Sequence, residues 1–213
     1  MIGKGKSISH GVAALEYDLA KEINGQAVAT EIARHELYGC TGAEMVQEMK
    51  PYHIDFPNVK NNCLRFEVSP SIEESATFTD ADWAELGNDF MQRMGLANHQ
   101  YIIIRHSGTE SKKEQAHLHI LANRVSLSGE LYRDNWIGKK ATEAANAIAK
   151  ERNFVQSQDI GKVNKAEIKE AMDGVLKKMQ GFDFTKFKEE LGKRGFKVRE
   201  ALSLIHISEP TRP

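Results

Sequence analysis

The chain has two cysteines, Cys40 and Cys63, among 213 residues. That is too few for a disulfide framework, and neither has the partner spacing of a structural zinc site, so both are expected to stay reduced. No apolar run approaches the roughly 18 residues needed to span a bilayer, so membrane insertion is not expected. The opening MIGKGKSISHGVAALEY carries basic residues but neither an apolar stretch nor a small-residue cleavage site, so a secretory signal is not expected and the cytoplasm is the expected compartment. No Ser or Cys sits in a nucleophile elbow, and there is no phosphate-cradling P-loop; the lone Gly3/Gly5 pair reads as a flexible terminus. Hydrophobic residues make up 40% and charged residues 28%, values ordinary for a globular protein that exclude collagen-like, disordered and coiled-coil classes. The length suits one domain plus an appendage.

The formal net charge of −1 argues against a uniformly basic, nucleic-acid-binding surface, but the charge is unevenly placed. Residues 31–100 hold 12 Asp/Glu against 5 Lys/Arg, a net of −7, whereas 161–200 hold 11 Lys/Arg against 7 Asp/Glu, a net of +4. An anionic partner must therefore meet a local patch.

Periodicity supplies the coarse organisation. Val12, Leu15, Leu19 and Ile23 recur at three- and four-residue intervals and predict a helix from 11 to 23, with Tyr17 off its apolar stripe. A polar, alanine-rich helix is expected at about 28–37, and Thr41 with Glu44 forms a capping box opening another at 42–50, ended by Pro51 and Pro57. Leu64, Phe66 and Val68 then alternate with Arg65, Glu67 and Ser69, the two-residue repeat of a half-buried strand stopped by Pro70. Thr79 with Asp82 caps a helix carrying Trp83, Leu86, Phe90 and Met94 and closed by Gly95. Residues 100–105 and 116–125 read as two strands of a long-loop hairpin, 139–152 as a helix and 156–163 as a loop. Two basic amphipathic helices follow at 164–180 and 184–194. The final LSLIHISEPTRP continues no pattern and looks like translated sequencing-adaptor read-through. Residues 202–213 are therefore expected to be a non-native tail, with the natural protein running on beyond them. The domains expected are 1–155, a basic helical appendage at 156–201 that is truncated, and that tail.

Three of the eight histidines carry the chemistry. His117 and His119 are two apart in a strand and so share one face, while Leu118 and Ile120 face the core. In an antiparallel hairpin His106 falls opposite or diagonal to His117, at roughly 5–8 Å between Cβ atoms. Three imidazoles can then converge on one ion at about 2.0–2.1 Å each, and three ligands leave positions open for a substrate oxygen. Neutral imidazole suits Mn, Co, Ni and Zn. A metal needs a nucleophile beside it, and Tyr17 qualifies if the ion neutralises the charge that builds up in the transition state, since a phenol with a free pKa of about 10 is otherwise a poor nucleophile.

In this order the segments resemble a known family, the relaxases or mobilisation nucleases of plasmids and integrative elements, within the HUH endonucleases. MIGKGKSISHGVAALEY is similar to the family's first motif, NNCLRFEVSPS to its second, and QYIIIRH with AHLHILANRV to its third; the resemblance covers about 1–155. It implies an α+β fold, a central antiparallel sheet with helices packed on one side, here followed by a helical C-terminal appendage. It implies Tyr17 as nucleophile, His106, His117 and His119 as metal ligands, and Ser69 as a DNA contact. The further DNA contacts expected are Lys4, Lys6, Arg105, Asn123 and Arg124, with Tyr132 or Trp136 available for base stacking at roughly 1–3 kcal/mol each. One departure is the long loop after the first histidine, where Ser107 and Gly108 stand in place of an acidic residue; Glu110 and Glu114 are the carboxylates available there. The implied activity is nicking of one strand at an origin of transfer through a 5′-phosphotyrosine, with a divalent ion, Mg or Mn ahead of Zn, Co or Ni. The implied partners are single-stranded DNA, accessory mobilisation proteins and a type IV secretion coupling protein. A rolling-circle initiator or single-tyrosine transposase shares this chemistry, and a noncatalytic DNA- or metal-binding module is the alternative of another class.

Overall fold

The structure, a computed structural model, describes residues 1–108, 115–201 and 204–208. The chain divides into two compact units, Met1–Gln156 and Ser157–Pro213. In chain order the first unit contains β1 (Ile2–Ile8), α1 (Gly11–Leu19), β2 (Glu22–Ile23), β3 (Gln26–Ala27), β4 (Ala29–His35), α2 (Gly42–Met49), a 3-10 turn (Lys50–His53), β5 (Cys63–Ser69), α3 (Ile72–Ser75), α4 (Asp80–Arg93), β6 (His99–His106), β7 (His117–Ser126) and α5 (Ile137–Glu151).

Five of these strands form one antiparallel sheet in the order β1-β5-β7-β6-β4. Side chains alternate along each strand, so each face collects one residue in two. One face presents Leu64, Phe66, Val68, Ile103, Leu118 and Ile120 to Trp83, Leu86 and Phe90 of α4 and to Ala141, Ala145 and Ile148 of α5, and this is the main core. Helices α4 and α5 cover this face, but the helices are not confined to one side of the sheet. The other face buries Ile8, Cys63, Ile102, Ile104 and Leu121 beneath Ala14 and Leu15 of α1 and Met45, Val46 and Met49 of α2. These two helices cover only part of that face; Lys4 and Lys6 on the same side of β1 remain exposed.

The local signals hold where they are strongest. Thr41 Oγ1 accepts from Glu44 N while the Glu44 carboxylate accepts from Thr41 N, the reciprocal capping box expected of that pair, and Thr79 with Asp82 repeats it at the start of α4. Gly95, at φ +72°, closes α4 in the left-handed conformation with Leu96 N donating to Met91 O.

Four expectations change. Residues 29–35 are strand β4, not helix: Ala29 to His35 pair with His106 to Tyr101 of β6, and sheet hydrogen bonds override the helix preference of Ala, Glu and Arg. Gly3 and Gly5 are not a flexible terminus but lie inside β1, where α5 approaches closely. A Cβ at Gly3 would sit 2.5 Å from Ala141 O, and one at Gly5 2.8 Å from the Phe66 ring. Helix α1 stops at Leu19, and its buried residues are Gly11, Ala14, Leu15 and Asp18, whereas Val12 is exposed and Ile23 belongs to β2. Residues 157–163 continue a helix rather than a loop.

That helix, α6 (Ser157–Leu176), belongs to the second unit with α7 (Phe184–Lys193), β8 (Lys197–Ala201) and β9 (Leu204–Ser208). Ala171 and Val175 of α6 pack on Phe187 and Leu191 of α7 and on Val198 of β8. Part of the terminal stretch set aside as patternless pairs here, since Leu204–Ser208 form an antiparallel ladder with Lys197–Ala201. Among the described residues no helix is long and apolar enough to cross a membrane.

Candidate active site

Register places the histidines. His106 stands directly opposite His117, and Ile104 opposite His119, in the β6–β7 ladder. The three rings lie on the face that α1 partly covers, with centroids 5.4 Å (His106–His117), 4.4 Å (His106–His119) and 4.8 Å (His117–His119) apart. One ligand atom from each lies within 4.8 Å of the other two, which makes this the one such metal-capable cluster among the described residues.

The rings are oriented by their outer nitrogens. His106 Nε2 lies 2.7 Å from the backbone oxygen of Asp18. A carbonyl oxygen can only accept, so Nε2 carries the proton and Nδ1 keeps a lone pair. His117 Nδ1 likewise faces Gln115 O at 3.2 Å, leaving Nε2 with the lone pair. That Nε2 is 3.1 Å from His119 Nε2, the approach of two ring nitrogens sharing a proton or a cation. Burial, reinforced by the neighbouring His106 and His117, pushes the His119 pKa down to about 2, and burial lowers that of His106 as well. Both rings are therefore neutral near pH 7, the form that binds metal. Three imidazoles clustered on one wall fit a divalent ion with open positions.

Tyr17 is 57% exposed on α1, as an off-stripe residue should be. Its Oη accepts from Lys21 Nζ at 2.7 Å, and the same ammonium lies 4.8 Å from the ring centroid. The next residue, Asp18, ties this helix to the histidines. Its side chain is 2% exposed and takes a two-point hydrogen bond from Arg65 Nε and Nη2. Arg65 Nη2 in turn stands 3.4 Å from His119 Nδ1. Neither Asp18 nor Arg65 was among the expected site residues. The readable signal was an aspartate three and four residues after Leu15 and Ala14, hence on the buried face of its helix.

The remaining expected residues separate into two groups. Ser69, Lys4 and Lys6 share the histidine face. Ser69 is nearly buried and accepts from Gln115 Nε2 at 3.1 Å. Lys4, 65% exposed, pairs with Glu67, which stands opposite His119 on the neighbouring strand. Lys4, Lys6, Arg65, Glu67 and His119 line a cavity of about 220 Å³, completed by Gly5 and Phe66. Arg105 points to the opposite face and pairs with Asp80 at the start of α4. Asn123 is on the histidine face, as the strand period requires, yet it corrects the expectation of a phosphate contact, because α2 and the 3-10 turn cover that end and bury it completely. Its Oδ1 accepts from His53 Nε2 and Val125 N, and its Nδ2 donates to Gln100 Oε1. Arg124 spends its donors on Tyr132 O, Asn61 O and Asp134, holding the loop after β7. Tyr132 is half-buried under Lys140, whereas Trp136 is 81% exposed. Glu110 and Glu114 lie outside the described residues.

Among curated protein sequences none matches the chain. Solved structures of the conjugative relaxase TrwC with OriT DNA are distantly similar. A metal-free form is 10% identical over 97% of this chain and 74% of that one, with a TM-score of 0.43. A metal-bound form is 11% identical over 97% and 75%, with a TM-score of 0.42. The family model for the nuclease domain of MobA/VirD2-like relaxases matches residues 17–154, a span that begins at Tyr17 and includes all three histidines. The chain belongs to the MobA/VirD2-like relaxases and carries their nuclease domain.

Proposed function

We propose that this chain nicks one strand of DNA at an origin of transfer by tyrosine transesterification. The observation that carries the reading is the junction at Asp18: the residue after Tyr17 accepts the His106 ring hydrogen bond, so the helix bearing the nucleophile is fastened to the histidine cluster. Tyr17 Oη attacks the phosphorus of the scissile phosphodiester. The P–O3′ bond breaks, leaving a 5′-phosphotyrosine and a free 3′-hydroxyl, and the bond energy retained in the adduct permits later religation. Lys21 keeps a cation against the attacking oxygen. His106, His117 and His119 would hold the divalent ion, Mg or Mn ahead of Zn, Co or Ni, which supplies charge neutralisation at a nonbridging phosphate oxygen. Lys4, Lys6 and Ser69 flank the strand on the same face.

The chemistry is assigned to residues 1–155, with 156–201 as a basic appendage. Cytoplasmic action on single-stranded DNA, with accessory mobilisation proteins and a type IV secretion coupling protein, follows from the same reading.

The test incubates the chain and Mn with labelled single strands tiled over the region flanking its own gene, separates products on a denaturing gel, and repeats this with Tyr17→Phe. A metal-dependent covalent adduct absent from the variant is the expected result. Adduct persisting in the variant moves the nucleophile to another tyrosine such as Tyr38, which is 77% exposed. Tight strand and metal binding with no adduct on any strand supports the noncatalytic module instead.

A further inference from the structure

We propose that Arg65 is a phosphate-binding residue of this site and that Asp18 is the positioning residue that presents it, an inference that rests on the proposed action on single-stranded DNA. Arg65 lies on the exposed part of the histidine face, opposite Lys6 on β1 and Leu121 on β7. It lines the same cavity as His119, Lys4 and Lys6.

Three features separate it from the two lysines. Its side chain is 20% exposed, so it meets a ligand at the cavity wall rather than out in solvent. It is fixed by two hydrogen bonds to a carboxylate that is itself only 2% exposed, so little rotamer freedom is left to lose on binding. A guanidinium is a planar fork of five donors, of which Nε and one Nη2 hydrogen go to Asp18; among the described residues Nη1 has no partner. Lys4, by contrast, is already paired with Glu67 at the surface.

Geometry decides the ligand class. With its Nε–Nη2 edge held by Asp18, Arg65 offers Nη1, whose two hydrogens suit phosphate oxygens, and its Nη2 stands 3.4 Å from Nδ1 of His119. A phosphodiester lying over His119 therefore meets the histidine cluster on one side and Arg65 on the other. Charge balance agrees: the buried Asp18 carboxylate cancels the arginine charge, which allows a guanidinium to sit beside a cluster that would hold a second cation.

The test uses the full chain, a fluorescein-labelled 20-nucleotide oligothymidylate and anisotropy titrations between 50 and 300 mM KCl. Each phosphate contact on a single strand contributes a slope of about −0.7 in log K against log salt. Arg65→Gln is expected to make the slope shallower by about 0.7 and binding about tenfold weaker at the low-salt end, while Mn affinity by calorimetry stays within threefold. Because Arg65→Gln leaves Asp18 buried and unpaired, the double variant Asp18→Asn/Arg65→Gln accompanies it and is expected to show the same loss. Asp18→Asn alone keeps the positive charge, so its slope should match the parent. The rate of adduct formation at saturating strand should fall about tenfold with little change in half-saturation, a split that lost folding would not produce. A folded Arg65→Gln or double variant with the parent's slope overturns the arginine assignment, and a parent-like rate in Asp18→Asn overturns the positioning role. If the parent itself forms no adduct, the proposed function fails, while the salt slopes still decide Arg65.

Discussion

Replacing Asn123 with Ala separates a strand contact from a core post. The Asn123 side chain is fully buried and serves four groups: it accepts from His53 Nε2 at 2.6 Å and Val125 N at 3.0 Å, and donates to Gln100 Oε1 at 3.0 Å and Met49 O at 3.4 Å. Truncation orphans all four. His53 lies near enough to solvent to find water, and the Met49 contact is long, so the main loss comes from the Val125 N–H and the Gln100 oxygen. A buried polar group left without a partner costs about 1–3 kcal/mol, which puts the total for these two at about 2–6 kcal/mol. For a protein of this size each kcal/mol moves the melting temperature by about 2–4 °C, so a drop of roughly 4–24 °C is expected. Circular dichroism melts measure it, and anisotropy well below the new midpoint should give oligothymidylate affinity within about twofold of the parent. An unchanged melting temperature with lost strand affinity would refute the burial and return Asn123 to the surface.

Three further outcomes are expected. Gly3→Ala places a Cβ 2.6 Å from Ala145 Cβ as well as against the Ala141 carbonyl; overpacking should destabilise by about 1–3 kcal/mol in urea unfolding, and a neutral result would show that α5 can retreat. His119→Ala removes one of three imidazoles and should weaken Mn binding by at least about 100-fold in calorimetry, more than loss of an outer-shell partner costs; affinity within threefold of the parent would remove it from the ligand set. Burial holds His99 and His106 below the usual histidine range, so the unfolded chain binds more protons than the native state below about pH 6.5. With EDTA present, stability should be full above that pH and fall as pH drops toward the folded values, by at most about 1.4 kcal/mol per pH unit per histidine. His99→Asn should flatten this slope in urea midpoints at pH 7.5, 6.5 and 5.5.

How much could be read beforehand depended on the distance over which each signal acts. The capping boxes at Thr41 and Thr79 join residues three apart, and both are formed. The alternation from Leu64 to Ser69 and the histidine spacing need only a strand and one hairpin, and they place His106 opposite His117. Residues 29–35 misled because Ala, Glu and Arg favour helix locally, while the β6 ladder that makes them a strand is far along the chain. Gly3 and Gly5 carry no local hint that Ala141 will come to lie against them. The same limit hid the site's inner layer, since Asp18 and Arg65 are 47 residues apart and each reads alone as an ordinary charged residue.

Two of the three histidines take their orientation from main-chain oxygens, those of Asp18 and Gln115. An acceptor supplied by the backbone survives any side-chain change at its own position, so point substitution at 18 or 115 cannot retune those rings through these contacts. Altering how the rings are aimed requires rerouting the chain itself, by lengthening or shortening the segment between His106 and His117 or by shifting α1 along its axis. Directed evolution of ion preference in this scaffold should accordingly accumulate insertions and deletions around 107–116 sooner than substitutions at residues flanking the cluster.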